Sequence, residues 1–351
     1  MNKQQQHNDF YREHKIGVGV MGATGAVGQS FMWMLHDHPW FEVKRVMASE
    51  KRVGRNYGED VHWILPMEIP PSILDYTIES FDVAAMKREG IQIVFSALPT
   101  HAAQTAEREL VEAGMFVFSN AAALRYDEHV PILIPEANID QLSWIEAQGY
   151  PDKGFAITNA NCSTTGLAVA MAPLMKYGVR DLVVSTYQSV SGAGHPGLSA
   201  LDITNNVIPF IDQEEEKMTE EFRKILSVDF DIFPYCVRVP VMFGHLESVW
   251  VEFEQEVDLD QIITDWHESS QGLEHLPSTP LRPIEYETQR DLPQAKQAFY
   301  GFPQGMVVYT GRLKRQGHRI GFNLLVNNVI KGAAGGSIQN AEAFVARYLD
   351  A

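Results

Sequence analysis

The feature that most narrows the fold is local. A short β-rich run, IGVGVM from Ile16, stops abruptly at Gly22, Gly25 and Gly28, and a helical pattern starts at once. Glycines so placed let the backbone turn tightly and bring its amides, at a helix N-terminus, against a pyrophosphate. The spacing is GxxGxxG, a variant of the usual fingerprint. With a strand before it, a helix after it and a position near the chain start, dinucleotide binding is favoured over a purely structural turn. Phe31, Met34 and Leu35 recur at helical spacing until Pro39 in HDHPW forbids continuation. A second strand over 41–48, a buried strand IQIVFSAL over 91–98, a helix around 102–113 and a strand MFVFS over 115–119 follow. Strands alternating with helices predict a parallel sheet joined by right-handed crossovers.

After Pro151 the texture becomes α+β. FAITNANCSTTGLAVAMAPLM reads as a strand, a tight loop and an apolar helix whose first turn starts just beyond Cys162. DLVVSTYQSVSG, YCVRVPVMF and ESVWVEFEQEV read as long strands, and Ile320, Phe322, Leu324 and Val326 alternate with period two. The segment 329–349 carries GAAGG and then an alanine-rich helix, expected to return and pack on the first domain. No repeat, low-complexity tract or flexible linker interrupts the chain.

Composition enters as a filter on function. The 351 residues exceed a typical domain of roughly 150 more than twofold, long enough for a substantial core. A net charge of -17 argues against a nucleic-acid surface and against adhesion to an anionic membrane, so an anionic ligand must find local basic residues. The 45% hydrophobic and 21% charged shares are those of an ordinary globular protein. The polar head, residues 1–15, lacks the apolar core of a signal peptide, and the longest apolar run, Gly166 to Met175, falls short of the roughly 18 residues of a membrane span. Two cysteines, Cys162 and Cys236, are read as free thiols in a reducing cytoplasm rather than as a single bridge.

The ribose position of a dinucleotide site lies about 20 residues beyond the glycine loop. The sequence there is ASEKRVGR, in which Glu50 suits a ribose 2′-hydroxyl, whereas Ser49 with Lys51, Arg52 and Arg55 offers donors for a 2′-phosphate. In an otherwise acidic chain this favours NADP over NAD, against the plainer reading of a solvated basic loop. Cys162, in NANCSTTG between a strand end and a helix start, sits where helix-terminal amides stabilise a thiolate. A lone cysteine is more often a small buried hydrophobe, which is the reading for Cys236. What raises Cys162 is its company: Gln188, Arg238 and His245, of which a histidine shuttles protons near neutral pH and an arginine clamps a carboxylate by two parallel hydrogen bonds.

GATGAVGQ, HPWFEV, ASEKRVGRNYGE, FSALP, SNAAALRYDEHVPILIPEAN, NANCSTTGLA, STYQSVSGAGHPG, EEEK, RVPVMFGHLE and KGAAGGSIQNAE, in this order, resemble the aspartate-β-semialdehyde dehydrogenases, and in particular their archaeal and fungal branch. The resemblance implies a Rossmann domain for NADP over 1–160, completed by the C-terminal segment 329–351, and a catalytic and oligomerisation domain over 161–328 like that of glyceraldehyde-3-phosphate dehydrogenase. It implies NADPH-dependent reduction of aspartyl phosphate, in lysine, methionine and threonine biosynthesis, by a cytoplasmic homodimer or homotetramer that needs no metal. Carried onto this chain, it makes Cys162 the nucleophile, Gln188 the group that orients the acyl and His245 the acid/base. Arg238 takes the substrate carboxylate, Glu214 its ammonium, and Lys217, Arg125 and Asn161 its phosphate. Cofactor contacts are expected from Gly22, Thr24, Gly25, Ala26, Val27, Gly28, Ser49, Lys51, Arg52, Ser96, Ala97, Ser191, Gly192 and Asn328, with the small GAAGG residues packed near the nicotinamide. Two positions depart from the family pattern: bulky Phe243 beside the histidine motif, and Ala122 where a serine is frequent. Malonyl-CoA reductase, which resembles the same branch, is the nearest alternative; N-acetylglutamyl-phosphate reductase and a silent dinucleotide-binding regulator fit less well.

Overall fold

The computed structural model describes residues 13–194, 197–269 and 272–349; most of the polar head, His195 and Pro196 of the STYQSVSGAGHPG motif, and the last two residues of the C-terminal segment lie outside them. The first sheet contains β1 (Ile16–Met21), β2 (Phe41–Met47), β3 (Ile78–Glu79), β4 (Ile93–Ser96), β5 (Phe116–Ser119) and β6 (Phe155–Thr158) in the order β3-β2-β1-β4-β5-β6. All its pairings are parallel. Such a sheet must be covered on both faces, which is why β4, β5 and β6 are buried at every residue. Strand order reverses between β1 and β4, and the crevice beyond the C-terminal ends of strands at such a reversal is where ligands bind in open α/β sheets.

Helix α1 (Ala26–Leu35) buries Phe31, Met32 and Leu35 in the core of this sheet, and α2 (Thr100–Glu112) connects β4 to β5. The C-terminal helix, Gly335–Phe344, returns to the same sheet as expected: Ile338, Ala341 and Phe344 join its core, and the Phe344 ring meets Phe116, Phe118 and Phe155 at 4.8–6.2 Å. Strand β6 follows Pro151, yet it pairs with β5 and closes the first sheet.

The second sheet has the order β10-β11-β12-β9-β7-β8. It is built from β7 (Val179–Gln188), β8 (Asp231–Arg238), β9 (His245–Phe253), β10 (Ile284–Glu287), β11 (Val308–Gln316) and β12 (Arg319–Val326). Pairing is mixed: β7 runs parallel to β8 and β10 to β11, while β9 is antiparallel to both β7 and β12. One face packs under α3 (Cys162–Met171), α4 (Glu214–Leu226) and α5 (Leu259–His267). On the other face of β7 and β8, Tyr187, Phe233 and Tyr235 are exposed. The strand reading missed β3, β10 and β11: β3 is two residues long, β10 is four, and the second half of β11 is mostly exposed, so none presents a sustained apolar alternation.

Candidate active site and dinucleotide crevice

The glycine turn is explained atom by atom. Gly22 has φ +73°, and a Cβ on it would lie 2.5 Å from the Ala97 carbonyl oxygen, so the loops after β1 and β4 touch at the point of strand reversal. A Cβ on Gly28 would lie 2.1 Å from the Gly22 oxygen. Gly25 is different: its Cβ would meet nothing nearer than 3.6 Å, and as N-cap of α1 it provides no side-chain cap and is followed by no acidic first-turn residue. The first-turn amides of Ala26, Val27 and Gly28 are therefore left for an external acceptor. Gln29 fastens the turn, its Nε2 donating to the carbonyls of Thr24 and His62 at 3.0 and 2.9 Å. This cradle fits a pyrophosphate. Ala97 borders it, but Ser96 is fully buried, so what Ser96 offers the crevice is main chain rather than its hydroxyl.

At the ribose end Ser49 and Lys51 are exposed. Arg52 and Arg55 both ion-pair with Asp60, whose carboxyl they hold below its usual range. The basic loop is thus organised by an acid the sequence reading did not include, with Lys51 as the cation outside that cluster.

The second cluster forms where α3 meets the second sheet. Asn161 caps α3, its Oδ1 accepting from Ser163 N and Thr164 N at 3.0 and 3.4 Å. Cys162 follows, with Sγ 3.0 Å from His245 Nε2 at the start of β9. Gln188 ends β7 opposite Arg238 at the end of β8. A Cβ on Gly192 would lie 3.0 Å from Arg238 Nη1 and 3.3 Å from His245 Nε2, which shows that the guanidinium and the imidazole face the same small space. Arg238 is anchored by donating to the Ser189 carbonyl at 2.7 Å. Glu214, at the start of α4, is buried rather than solvated and accepts from Asn161 Nδ2 at 2.7 Å. Lys217 lies one turn further along α4, half-buried. Cys236 is a free, fully buried thiol in the core of the second sheet, and Cys162 is free as well.

The Gln188 Nε2 donates to Thr186 Oγ1 at 3.3 Å, along its own strand. Ser191 and Asn328 gather around His245 through Ser189. Of the GAAGG glycines, Gly332 is small for a steric reason at the cysteine itself, where a Cβ on it would lie 2.9 Å from Cys162 Cβ, while a Cβ on Gly335 or Gly336 would meet Met306 or Asn159. Phe243 packs edge-on against Phe299 at 5.2 Å, within a cluster that includes Met306 and Ile330. Its bulk is therefore absorbed by packing.

Helix amides do not hold a thiolate in this state. Burial, with the Glu214 charge, pushes the Cys162 thiol up to about 12, against smaller opposing effects of Arg238, Arg125 and the Ser163 amide. Burial and the Arg238 guanidinium push His245 down to about 3. Both shifts favour an uncharged pair. The tautomer follows from His245 Nδ1, which accepts from the Ser189 main-chain N–H at 3.1 Å, so the ring proton sits on Nε2 and points at the sulfur.

Sequence reasoning missed Glu221. This fully buried carboxylate on α4 accepts from Arg125 Nη1 at 2.9 Å and from the Asn161 main-chain N–H at 2.6 Å. Arg125 also donates to the Asn120 carbonyl at 2.8 Å. Glu221 thus ties the arginine to the backbone beside Cys162. It also missed Glu247, which is fully buried on β9 with neither carboxylate oxygen hydrogen-bonded; burial and the Glu214 charge raise its carboxyl well above the usual range.

The semialdehyde dehydrogenase NAD binding domain model matches residues 17–145, and the semialdehyde dehydrogenase dimerisation domain model matches residues 171–331. The chain is 42% identical over 345 residues to the aspartate-semialdehyde dehydrogenase of Archaeoglobus fulgidus, covering 94% of this chain and 98% of that one. It is 33% identical to the malonyl CoA reductase (NADP) of Metallosphaera sedula, at 95% and 98% coverage. Among solved structures, aspartate semialdehyde dehydrogenase with NADP from Candida albicans superposes with a TM-score of 0.85 at 29% identity, over 95% of this chain and 99% of that one. With a crossover sheet carrying the glycine cradle and a mixed sheet carrying the Cys162–His245 pair, the chain belongs to the semialdehyde dehydrogenase family.

Proposed function

We propose that this chain reduces L-aspartyl 4-phosphate to L-aspartate 4-semialdehyde and inorganic phosphate with NADPH, through a thioester on Cys162. The observation that carries the reading is the 3.0 Å Cys162–His245 contact, with buried Arg238 facing the same space as His245 and buried Glu214 held by Asn161 next to Cys162. An arginine and a carboxylate at one cleft suit the α-carboxylate and α-ammonium of an amino acid. Relatives named for this activity, from archaea and fungi, support the same substrate.

Cys162 Sγ attacks the β-carbonyl; Gln188 and nearby main-chain amides orient the acyl group and stabilise the oxyanion, and phosphate leaves from among Arg125, Lys217 and Asn161. When bound, the dinucleotide supplies the hydride that reduces the thioester carbonyl. The glycine cradle and Ala26–Gly28 amides hold its pyrophosphate, and Ser49, Lys51 and Arg52 its 2′-phosphate. His245 takes the thiol proton in the first half, gives it to the carbonyl oxygen as the thiohemiacetal forms, and takes it back from that hydroxyl as the C–S bond breaks and the aldehyde leaves, finally returning it to the Cys162 sulfur.

We assign residues 1–160 with 329–351 to dinucleotide binding and 161–328 to catalysis and assembly. A second copy covering the exposed Tyr187, Phe233 and Tyr235 face would give the homodimer, or a homotetramer built from it; the reaction belongs in the cytoplasm. The experiment is a side-by-side assay of the purified protein with aspartyl phosphate and malonyl-CoA, following NADPH oxidation. Faster turnover of aspartyl phosphate supports the proposal. Preference for malonyl-CoA, which has no ammonium for Glu214, refutes the amino-acid substrate and leaves a thioester reductase.

A further inference from the structure

His245 Nδ1 faces two groups of one residue. The Ser189 main-chain N–H donates to it at 3.1 Å, and Ser189 Oγ lies 3.2 Å away. The hydroxyl belongs to a closed ring of hydrogen bonds: Asn328 Nδ2 donates to Ser191 Oγ at 2.8 Å, Ser191 and Ser189 hydroxyls meet at 3.3 Å, and Ser189 Oγ donates to Asn328 Oδ1 at 3.1 Å. The Gly244 N–H occupies the second lone pair of Asn328 Oδ1 at 2.9 Å. Ser189, Ser191, Asn328 and His245 are all buried.

With Ser189 Oγ donating to Asn328 Oδ1, the hydrogens of this ring have one arrangement. Asn328 can only donate through Nδ2, so Ser191 passes its own proton to Ser189, and Ser189 passes its proton to Asn328. A lone pair of Ser189 Oγ is then left facing His245 Nδ1. The imidazole has two neutral forms, and Ser189 provides a partner for each. With the proton on Nε2, the lone pair on Nδ1 accepts from the Ser189 N–H, and His245 is a donor toward sulfur. With the proton on Nδ1, Ser189 Oγ accepts it, and Nε2 is free to receive the thiol proton.

We propose that Ser189 is a positioning residue that switches His245 between proton donor and proton acceptor, its main-chain N–H holding the first form and its Oγ, aimed by Asn328 and Ser191, holding the second. The inference rests on the Cys162–His245 reading above. Passing from the first form to the second releases the Nε2 proton to solvent and takes one from solvent at Nδ1, with no net change; then the Sγ–H bond breaks, an Nε2–H bond forms, the Nδ1–H stays hydrogen-bonded to Ser189 Oγ, and the product is a thiolate beside an imidazolium. The charged and titratable groups around this end of the cleft are Arg238 on β8, Cys162 on α3, Glu214 on α4 and Glu247 on β9. Arg238 opposes the imidazolium, so the second proton is accommodated by neutral oxygens, Ser189 Oγ together with the Gly244 main chain, whose hydrogen bond raises the His245 proton affinity.

The test uses the intact protein without substrate. Iodoacetamide alkylation of Cys162 is followed against pH in a Cys236→Ala background, for Ser189→Ala, Ser189→Thr and His245→Asn. Losing a hydrogen bond to a charged group corresponds to roughly a 10- to 100-fold loss. Ser189→Ala is therefore expected to lower the alkylation rate near pH 7 by that factor and to rejoin the unmodified protein at high pH, where solvent takes the proton, while Ser189→Thr restores the neutral-pH rate. Alkylation that depends on His245 but not on Ser189 overturns this inference alone; alkylation indifferent to His245→Asn overturns the Cys–His reading beneath it. Nitrogen-15 spectra of the unmodified protein are expected to show His245 protonated on Nε2, and a resting Nδ1–H form would overturn the switch without recourse to any variant.

Discussion

Glu221→Gln is the most informative single change outside the reacting groups. The carboxylate accepts from Arg125 Nη1 at 2.9 Å and Tyr126 Oη at 3.4 Å on Oε1, and from Asn161 N at 2.6 Å on Oε2. A glutamine has one acceptor oxygen. Whichever way the amide turns, its NH2 faces either a guanidinium or a main-chain N–H, and the charge opposite Arg125 is gone. Removing one member of a buried pair costs about 3–5 kcal/mol, and the surviving bond from Arg125 to the Asn120 carbonyl places this case near the lower end, about 3. At roughly 2 °C per kcal/mol for a chain of this size, calorimetry should show the unfolding temperature falling by about 6 °C. Glu220→Gln, one residue away and exposed, is the control and should change stability by no more than about 0.5 kcal/mol. Adding Arg125→Met to Glu221→Gln should recover part of the loss, because the unpaired guanidinium is what makes the single change expensive. A Glu221→Gln protein as stable as its Glu220→Gln control would show that the buried pair does not brace the cysteine loop.

Three other outcomes are expected. Cys162→Ala should abolish NADPH oxidation while NADPH binding, followed by fluorescence, stays intact, whereas Cys236→Ala should keep most of its activity, since it replaces a small residue of the core. Neutralising Lys51 and Arg52 together should weaken NADPH binding by at least tenfold more than NADH binding, measured by titration calorimetry; equal weakening would remove them from the 2′-phosphate site. Glu247→Gln should stabilise the protein more at pH 8 than at pH 5. The fold raises this carboxyl, so above the unfolded value near 4.5 the unfolded chain binds fewer protons than the folded one, and the stability of the unmodified protein falls as pH rises. A pH-independent difference in denaturation midpoint would contradict a neutral Glu247.

What could be read from the chain and what could not divides by sequence distance. The glycine turn is legible because Gly22, Gly25 and Gly28 do their work within one strand–turn–helix unit, and the Cys162 helix start is legible for the same reason. The ion pair behind the cysteine loop joins residues far apart, Arg125 to Glu221, whereas Arg52 and Arg55 reach Asp60 only 8 and 5 residues further on, where nothing in the local pattern marks the aspartate as their partner. Yet a signal was present. Glu221 occupies the buried stripe of α4 with Met218, Phe222 and Ile225, and Glu247 occupies the buried alternate of β9 with Val249, Val251 and Phe253. A carboxylate on the apolar face of an amphipathic element requires either a partner or a retained proton. Glu221 has the partner and Glu247 keeps the proton.

The same arithmetic explains how an acidic chain binds multiply charged anions. Its net charge of -17 belongs to the surface, while the cleft sets Arg238 and Arg125 against Glu214 and Glu221, with Cys162 and His245 uncharged between them. Two buried cations and two buried anions balance, which avoids the desolvation cost of an unbalanced buried group, and half-buried Lys217 is left as the surplus positive charge. The cancellation is unequal in reach. Glu221 is spent on Arg125 and the Asn161 amide, whereas Arg238 is anchored by a neutral carbonyl and keeps its charge free for a ligand. In the proposed mechanism, burial and then the Arg238 charge hold the His245 proton affinity down, and a substrate carboxylate arriving at Arg238 would remove the second of these, making His245 a better base when there is something for Cys162 to attack.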